Sequence, residues 1–386
     1  MNEKWIIEEL NKAEKNNLLR HVTVSPSAGS VFSIAKKRFI NFSSNDYLNL
    51  IKHPTVLEFS KKAIDDYGAG SGASRLVSGS LPIHHELEEK IASHKNYTDA
   101  LIFGSGYMTN IGVIPAIANK NDVIFSDKLV HSCILDGIHL SGAKHTRFHH
   151  NDVTSLEERL DKYNKHLGKK IIIIESVYSM DGDLAPLQEI TRIANKHNAI
   201  LIVDEAHATG TFGLHGRGRV SEFNLESQVD ITMGTMSKGM GSYGGFIACS
   251  SEIKKLLIQK ASSFIYTTAP PPSVIGASLG ALHILEKEPD LGLQLQTKAK
   301  VFRKNLHDAG IETLKSESQI IPIIVGDNIS ALTKARKLKE AGIIVGAIRP
   351  PTVPTGTSRL RISLSLGHNE DDIQFALEKI IKIVKS

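Results

Sequence analysis

Ala199-Ile-Leu-Ile-Val203 is an unbroken apolar stretch that runs directly into Asp204-Glu-Ala-His207. A short apolar run that is rich in branched residues and bounded by charged ones predicts a β-strand buried on both faces. Four other runs have the same character: Ala100–Phe103, Asp122–Phe125, Lys170–Ile174 and Asp230–Met233. Helix-like segments separate several of these runs, such as Pro186–His197, where a proline stands in the first turn. The alternation predicts an α/β fold with a mostly parallel sheet covered by helices on both faces.

Two charged residues close predicted strands, and their positions predict a ligand site. Asp204 ends one apolar run, and Lys238 follows another within Thr235-Met-Ser-Lys-Gly-Met-Gly241. Parallel sheets bind ligands outside the carboxyl ends of their strands, so these two residues can converge. A carboxylate at the end of a buried strand costs free energy unless it is paired. Both groups suit pyridoxal phosphate (PLP) chemistry, in which a lysine holds the cofactor and an acid partners its pyridine nitrogen.

Three weaker signals lie near other predicted strand ends. Gly104-Ser-Gly-Tyr107 stands between a strand and a helix-like segment, where it can either bind a phosphate or form an ordinary turn. His131 begins a helix-like segment, which a polar residue does equally well without any ligand. Ser179 lies just before an Asp-Gly pair that is typical of a simple turn. The pattern alone leaves both readings open at each position.

Charge and composition exclude several classes of protein. A net charge of +5 with scattered lysines does not indicate nucleic-acid binding, and no apolar run is long enough to span a membrane. The first twenty residues contain four glutamates and no continuous apolar stretch. They therefore argue against a secretory signal or a transit peptide, and we expect a cytoplasmic protein.

No metal site or disulfide framework is predicted. Cys133 and Cys249 are far apart in the sequence and have no further cysteine beside them. His145, His149 and His150 have a metal-like spacing, but no cysteine or acidic cluster completes a site, so we expect surface histidines.

Gly239-Met-Gly-Ser-Tyr-Gly244 matches the dinucleotide-binding pattern G-x-G-x-x-G. That pattern should open a helix and be followed by an acid about 20 residues later. Here it runs into the strand-like Gly245–Ala248, and no acid lies between Glu252 and Glu286. A nicotinamide dinucleotide site is therefore not expected.

A chain of 386 residues fits about two domains. We expect residues 50–285 to form a large cofactor-binding domain and residues 286–386 a small C-terminal domain, with residues 1–49 packing against the latter. The predicted elements of the small domain are strands Ile320–Val325 and Arg359–Ser365 and helices Ser330–Ala341 and Asp371–Lys385.

Taken together, these residues resemble the α-oxoamine synthases, a family of PLP-dependent enzymes of fold type I. The resemblance extends from Asn41-Phe-Ser-Ser-Asn-Asp-Tyr-Leu48 to Arg359-Leu-Arg361. It implies a large domain with a mostly parallel sheet plus a smaller α/β domain. Ala347-Ile-Arg-Pro-Pro-Thr-Val-Pro354 and His149-His-Asn-Asp152 are similar to members that join L-alanine to a pimeloyl thioester in biotin biosynthesis. The acyl carrier in that reaction is coenzyme A or an acyl-carrier protein.

Three alternatives remain at this stage. The nearest is a member of the same family that joins glycine to acetyl-CoA and forms 2-amino-3-ketobutyrate. A PLP aminotransferase would release no thiol, and a non-catalytic PLP-binding protein would not need the full set of polar residues.

The resemblance also implies the roles of individual residues. Lys238 would carry the cofactor and remove the Cα proton, Asp204 would partner the pyridine nitrogen, and His131 would stack on the ring. The implied cofactor residues are Gly106, Tyr107, His131, Ser179, Asp204, His207, Thr235 and Lys238. The implied substrate residues are Arg20, Asn45, His131, Thr352 and Arg361, the last gripping the amino-acid carboxylate. The family resemblance further implies a homodimer, in which residues around Thr267 and Thr268 complete the neighbour's phosphate site.

Overall fold

The computed structural model describes residues 3–386. The strands are, in chain order, β1 (Val31–Ile34), β2 (Lys37–Asn41), β3 (Asp99–Phe103), β4 (Val123–Asp127), β5 (Lys144–Phe148), β6 (Lys170–Glu175), β7 (Ile200–Asp204), β8 (Ile231–Thr235), β9 (Gly245–Cys249), β10 (Ile320–Gly326), β11 (Ile343–Ile344), β12 (Gly346–Ile348) and β13 (Ser358–Ser363). The helices are α1 (Lys4–Lys15), α2 (Pro54–Tyr67), α3 (Pro82–Lys95), α4 (Gly106–Ile117), α5 (Ser132–Ser141), α6 (Val153–Asp161), α7 (Leu187–Lys196), α8 (Arg219–Glu222), α9 (Ser251–Lys260), α10 (Ser262–Ile265), α11 (Pro272–Lys287), α12 (Leu291–Asp308), α13 (Asn328–Glu340) and α14 (Glu370–Lys385).

The chain divides into two compact units. The larger unit comprises Asp46–Ser179 and Leu184–Gln296, and the smaller unit comprises the described residues up to Asn45 together with Met180–Asp183 and Thr297–Ser386. The division of the sequence at residues 49 and 285 into three parts stays a prediction. Within residues 3–386, no helix combines the length and the apolar character needed to cross a membrane.

The larger unit contains a seven-stranded sheet in the order β3-β9-β8-β7-β6-β4-β5. β9 runs antiparallel to β3 and β8, and the remaining neighbours are parallel, which confirms the predicted mostly parallel sheet. All five buried strands expected from apolar runs are present, with ends within two residues of those predicted. In the β6–β7 register, Glu175 lies opposite Asp204.

Helices cover both faces of this sheet. Ile171 and Ile173 of β6 belong to one buried cluster, which α4, α5 and α9 complete, whereas Ile172 and Ile174 belong to another with α6 and α7. Successive residues of a strand point to opposite faces, so an isoleucine run is stable only when both faces are buried. Each such side chain contributes about 2 kcal/mol on burial. The continuous apolar strands therefore hold the carboxyl ends of β6, β7 and β8 in fixed positions at one edge.

The smaller unit contains two three-stranded sheets, β1-β2-β11 and β10-β13-β12. β2 pairs in parallel with β11, so residues near the start of the chain share a sheet with residues near its end. β13 is the central strand of the second sheet and runs antiparallel to both neighbours. The four elements predicted for this region appear as β10, α13, β13 and α14.

Candidate active site

The predicted cofactor residues of the larger unit lie at the carboxyl edge of the sheet. Asp204 is the last residue of β7 and Thr235 the last of β8, while Ser179 and Lys238 follow the ends of β6 and β8 closely. Because β6, β7 and β8 are parallel neighbours, these ends share one edge.

Asp204 is buried and held by two neutral donors. Its Oδ2 accepts a hydrogen bond from Asn110 Nδ2 at 2.9 Å, and its Oδ1 accepts one from the Ala206 N–H at 2.8 Å. Asn110 lies on α4 and also donates to Cys133 Sγ at 3.2 Å. Neutral donors fix the orientation of the carboxylate without cancelling its charge, so it can still partner a cationic ring nitrogen.

Lys238 contacts an imidazole. Its Nζ lies 2.8 Å from His207 Nε2, and His207 Nδ1 lies 2.7 Å from the Tyr47 hydroxyl. Both His207 and Tyr47 are buried. The amine thus contacts His207 at the sheet edge, and His207 in turn contacts Tyr47.

His131 is the N-cap residue of α5, and its Nδ1 accepts a hydrogen bond from the Cys133 N–H at 3.2 Å. Burial lowers the pKa of the His131 imidazole, the Asp204 carboxylate opposes that shift, and Lys238 adds to it. The net effect is a lowered pKa, which favours a neutral ring. A neutral, oriented imidazole suits stacking against a flat cofactor ring.

Glu175 closes β6 beside Asp204 and is buried. Its Oε1 accepts a hydrogen bond from the His131 N–H at 2.5 Å, and its Oε2 accepts one from the Ser179 N–H at 3.3 Å. Burial raises the pKa of Glu175 well above its usual value, and the charge of Asp204 raises it further, while Lys238 and the two backbone bonds act in the other direction. One carboxyl group thus joins the backbone of two predicted cofactor residues.

Gly106, Tyr107 and Thr235 lie at the start of α4 and at the end of β8. α4 begins at Gly106, two residues before the expected helix start. A Cβ atom added at Gly106 would lie 3.2 Å from Met233 Cε and 3.5 Å from Thr235 Cβ, so glycine allows the helix end to approach β8. The Thr235 hydroxyl donates to the Gly244 carbonyl at 2.7 Å. A helix N-terminus beside a hydroxyl suits a phosphate group.

Tyr107 and Ser179 are two further residues predicted to contact the cofactor. Tyr107 is 45% exposed, and its hydroxyl donates to Asp136 Oδ2. Ser179 is buried and is tied through its backbone to Glu175.

In the smaller unit the structure brings two of the predicted substrate residues together. Arg361 lies on β13 and is 6% exposed, and its guanidinium donates to Asn45 Oδ1 at 3.3 Å and to Ser363 Oγ at 2.7 Å. Buried and oriented in this way, the guanidinium suits bidentate contact with a carboxylate.

Arg20 and Thr352 are both exposed residues of the smaller unit. Burial lowers the pKa of Arg349, and the charge of Arg20 lowers it further. The sequence analysis did not single out Arg349, although it lies in the quoted Ala347–Pro354 string. Two guanidinium groups that interact in this way suit an anionic part of a substrate.

The larger unit therefore contains the groups that PLP needs. These groups are a lysine amine, a buried carboxylate that accepts from neutral donors, and an imidazole whose lowered pKa favours its neutral form. A helix that begins at a glycine lies beside a hydroxyl group. The residues fit the cofactor, and their individual roles stay predictions.

Known proteins with similar sequences and structures agree with this chemistry. The family model for class I and II aminotransferases matches residues 37–380. The chain is 41% identical to the 8-amino-7-oxononanoate synthase of Geobacter sulfurreducens over 98% of each chain. It is 30% identical to the serine palmitoyltransferase of S. paucimobilis solved with a bound PLP–myriocin aldimine, with a TM-score of 0.92 over 99% of this chain and 97% of that one. An 8-amino-7-oxononanoate synthase structure from Francisella tularensis is 33% identical, with a TM-score of 0.77 over 90% of this chain and 98% of that one.

These matches run through both units and include the sheet edge where Asp204 and Lys238 lie. The predicted fold, the predicted cofactor and the predicted enzyme class are thereby confirmed. This chain belongs to the class I and II aminotransferase family, within its PLP-dependent α-oxoamine synthase branch of acyltransferases.

Proposed function

We propose that this enzyme condenses L-alanine with a pimeloyl thioester to give 8-amino-7-oxononanoate, carbon dioxide and a free thiol, a step of biotin biosynthesis. The observation that carries the proposal is the 41% identity to an 8-amino-7-oxononanoate synthase over 98% of both chains. The site supports it, because the lysine amine and the buried carboxylate needed for PLP chemistry occupy one sheet edge.

When bound, PLP supplies a carbonyl that captures an amino group and a ring that accepts the electrons of a broken Cα–H bond. Lys238 would hold the cofactor, and its amine would remove the Cα proton of alanine and return a proton to the product. Asp204 would keep the pyridine nitrogen protonated, and His131 would pack on the ring. Ser179 and His207 would donate hydrogen bonds to the ring substituents.

We assign the remaining roles on the same basis. Gly106, Tyr107 and Thr235 would lie at the cofactor, with Thr235 on its phosphate. Arg361 would grip the alanine carboxylate, with Asn45 fixing the guanidinium from the side at 3.3 Å.

Arg20 and Thr352 would bind the acyl substrate. Arg349 is a further candidate there, since a pimeloyl chain ends in a carboxylate and the positive charges of Arg20 and Arg349 would attract it. The acyl carrier is either coenzyme A or a carrier protein, and the thiol-release assay described next compares the two.

The testing experiment measures thiol release by the PLP-loaded enzyme with two substrate pairs. One reaction holds L-alanine and pimeloyl-CoA, and the other holds glycine and acetyl-CoA. We expect release only in the first. Release only in the second would keep the family and the cofactor but replace the substrates with those of the glycine-specific members. A third reaction with a pimeloyl carrier protein compares the two acyl donors.

We further propose that the enzyme is a cytoplasmic homodimer in which Thr267 and Thr268 contribute to the neighbour's phosphate site. The family resemblance supports this proposal, as does the exposure of Thr268 and of Tyr266 two residues before it, which is 84% exposed. Sedimentation of the purified protein tests it, since a monomer would have a mass of 42.2 kDa. Restoration of activity by mixing Thr268→Ala subunits with Lys238→Ala subunits would support the shared site.

A further inference from the structure

Tyr47, His207 and Lys238 form a line of polar contacts. The hydroxyl of Tyr47 lies 2.7 Å from His207 Nδ1, and His207 Nε2 lies 2.8 Å from Lys238 Nζ. Tyr47 is fully buried, and 160 residues of sequence separate it from His207. A hydroxyl in this position needs a partner, and the imidazole provides one.

The line can keep both of its hydrogen bonds in two arrangements. When Lys238 is an ammonium group, it donates to Nε2, and the Nδ1–H of His207 donates to the Tyr47 oxygen. When Lys238 is a neutral amine, the Tyr47 hydroxyl donates to Nδ1, and the Nε2–H of His207 donates to the amine. A phenol can both accept and donate, so Tyr47 satisfies His207 in either tautomer.

An amine that carries the cofactor and also removes a proton from the substrate must change its bonding partner in each cycle. Between these tasks it needs a fixed place at the sheet edge, because a displaced base loses rate steeply with distance. The contact with His207 provides such a place. This reasoning rests on the role proposed above for Lys238.

We propose that Tyr47 is a positioning residue that orients His207 as the docking point for the Lys238 amine. Tyr47 acts through His207 and has no contact with substrate in this role.

Other ionisable groups also act on the amine. Lys238 influences the pKa of His131, Cys133 and Glu175, and the charge of Asp204 influences the same three groups. Any pH effect of a Tyr47 variant is therefore shared with these residues. The experiment consequently relies on coupling between two positions rather than on a pH profile alone.

The test follows the rate at which apo-enzyme captures PLP, observed by the absorbance of the cofactor as it links to the protein. Tyr47→Phe should slow capture about 10-fold, the lower end of the loss seen when the outer hydrogen-bond partner of a metal-bound histidine is removed. Tyr97→Phe is the matched control, because it removes a hydroxyl that donates to Val229 O and contacts Thr232 Oγ1 elsewhere in the larger unit. The control should capture PLP at the wild-type rate.

The decisive comparison places Tyr47→Phe in a His207→Ala background. If Tyr47 acts through His207, the second substitution should change the capture rate by less than about twofold. Independent, multiplying effects of the two substitutions would overturn the proposal, as would a Tyr47→Phe enzyme that behaves like Tyr97→Phe.

A second readout is independent of catalysis and of the acyl substrate. The imidazole ¹⁵N resonances of His207 in the apo-enzyme should move in Tyr47→Phe and stay unchanged in Tyr97→Phe. If Tyr47→Phe proves unstable, a fluorinated tyrosine at position 47 keeps the ring and hydroxyl and should shift the same resonances; unshifted resonances would count against the proposal. Because none of these measurements uses a pimeloyl thioester, an error in the proposed substrates would leave their outcome unaffected.

Discussion

Carboxylates at both edges of the seven-stranded sheet accept hydrogen bonds from backbone N–H groups, but at the carboxyl edge two of them, Glu175 and Asp204, also lie opposite each other. Asp122 precedes β4 and accepts hydrogen bonds from the Lys169 and Asn119 N–H groups at 2.8 and 2.9 Å. Asp230 precedes β8 and accepts one from the Leu201 N–H at 2.8 Å. Both residues close gaps in the backbone hydrogen bonding where strands begin, which is a structural task.

At the carboxyl edge the carboxyl groups also act on one another. Glu175 and Asp204 lie side by side in the β6–β7 register, close enough for the charge of Asp204 to raise the pKa of Glu175. Burial would raise the pKa of Asp122 too, but hydrogen bonds from Lys169 and Asn119 leave it lowered. Carboxyl side chains therefore stabilise strand starts at one edge. At the other edge they form a pair in which the charge of one group raises the pKa of the other.

The largest expected effect concerns the two lysines of these edges. Lys238→Ala should lower turnover about 10³-fold or more, because the base and the cofactor attachment are lost together. Lys169→Ala at the amino edge removes only a partly exposed contact to Asp122 at 3.1 Å, so it should leave turnover unchanged. Steady-state rates of the two PLP-loaded variants check this. A Lys238→Ala enzyme that turned over at the wild-type rate would refute the assigned role.

A smaller effect should separate the aspartates. Asp204→Asn should lower kcat about 100-fold, because the ring nitrogen loses its anionic partner, while the free energy of unfolding changes little. Asp230→Asn keeps an oxygen for the Leu201 N–H, so turnover should be unchanged and stability should fall by less than about 1 kcal/mol. Kinetics and urea unfolding of both variants measure the contrast. Equal losses of activity would remove the distinction between the two edges.

The smallest effect concerns pH and stability. The raised pKa of Glu175 means that the folded protein keeps a proton that the unfolded chain releases, so this residue lowers stability as pH rises above its ordinary value near 4.5. The pKa of Asp122 is lowered in the folded protein, so ionised Asp122 adds to the free energy of unfolding. That contribution is lost as pH falls below about 3.8.

Urea unfolding of apo-protein across pH checks these signs. Relative to wild type, Glu175→Gln should gain stability with rising pH, whereas Asp122→Asn should lose it. Glu175→Gln also removes one of the two oxygens that accept hydrogen bonds from backbone N–H groups. That cost is the same at every pH, so only the slope of unfolding free energy against pH is compared. If the unfolding free energies of the two variants, relative to wild type, changed with pH in the same direction, the contrast between Glu175 and Asp122 would be wrong.

Much of the larger unit was predictable because its strands are buried on both faces and therefore apolar throughout. β5 was not predicted, since Lys144–Phe148 forms an edge strand that is largely exposed and mostly polar. His150 differs from the expected surface histidine, because its Nδ1 lies 2.9 Å from Asp127 Oδ1 and its ring packs edge-on against Tyr178.

The site was predictable where a polar residue ends an apolar strand, as at Asp204. Glu175 carries the same signal at the end of β6, but the sequence analysis assigns it no role. Asn110 and Tyr47 carry no such signal. Their contacts join residues 94 and 160 positions apart, and no local pattern encodes a pairing of that kind.

The register of β6 against β7 also determines where this chain tolerates insertions. Asp204 is followed by Glu205, whose buried Oε2 accepts from Lys95 Nζ at 2.8 Å. One extra residue inside Ile200–Asp204 would reverse the face of every later side chain in that strand, placing Val203 opposite Glu175 and Asp204 in the position of Glu205. Extra residues beside Leu167, which is fully exposed ahead of β6, would extend a loop and leave that alignment intact. Attempts to transplant or lengthen this scaffold should therefore alter its loops and keep the strand lengths constant.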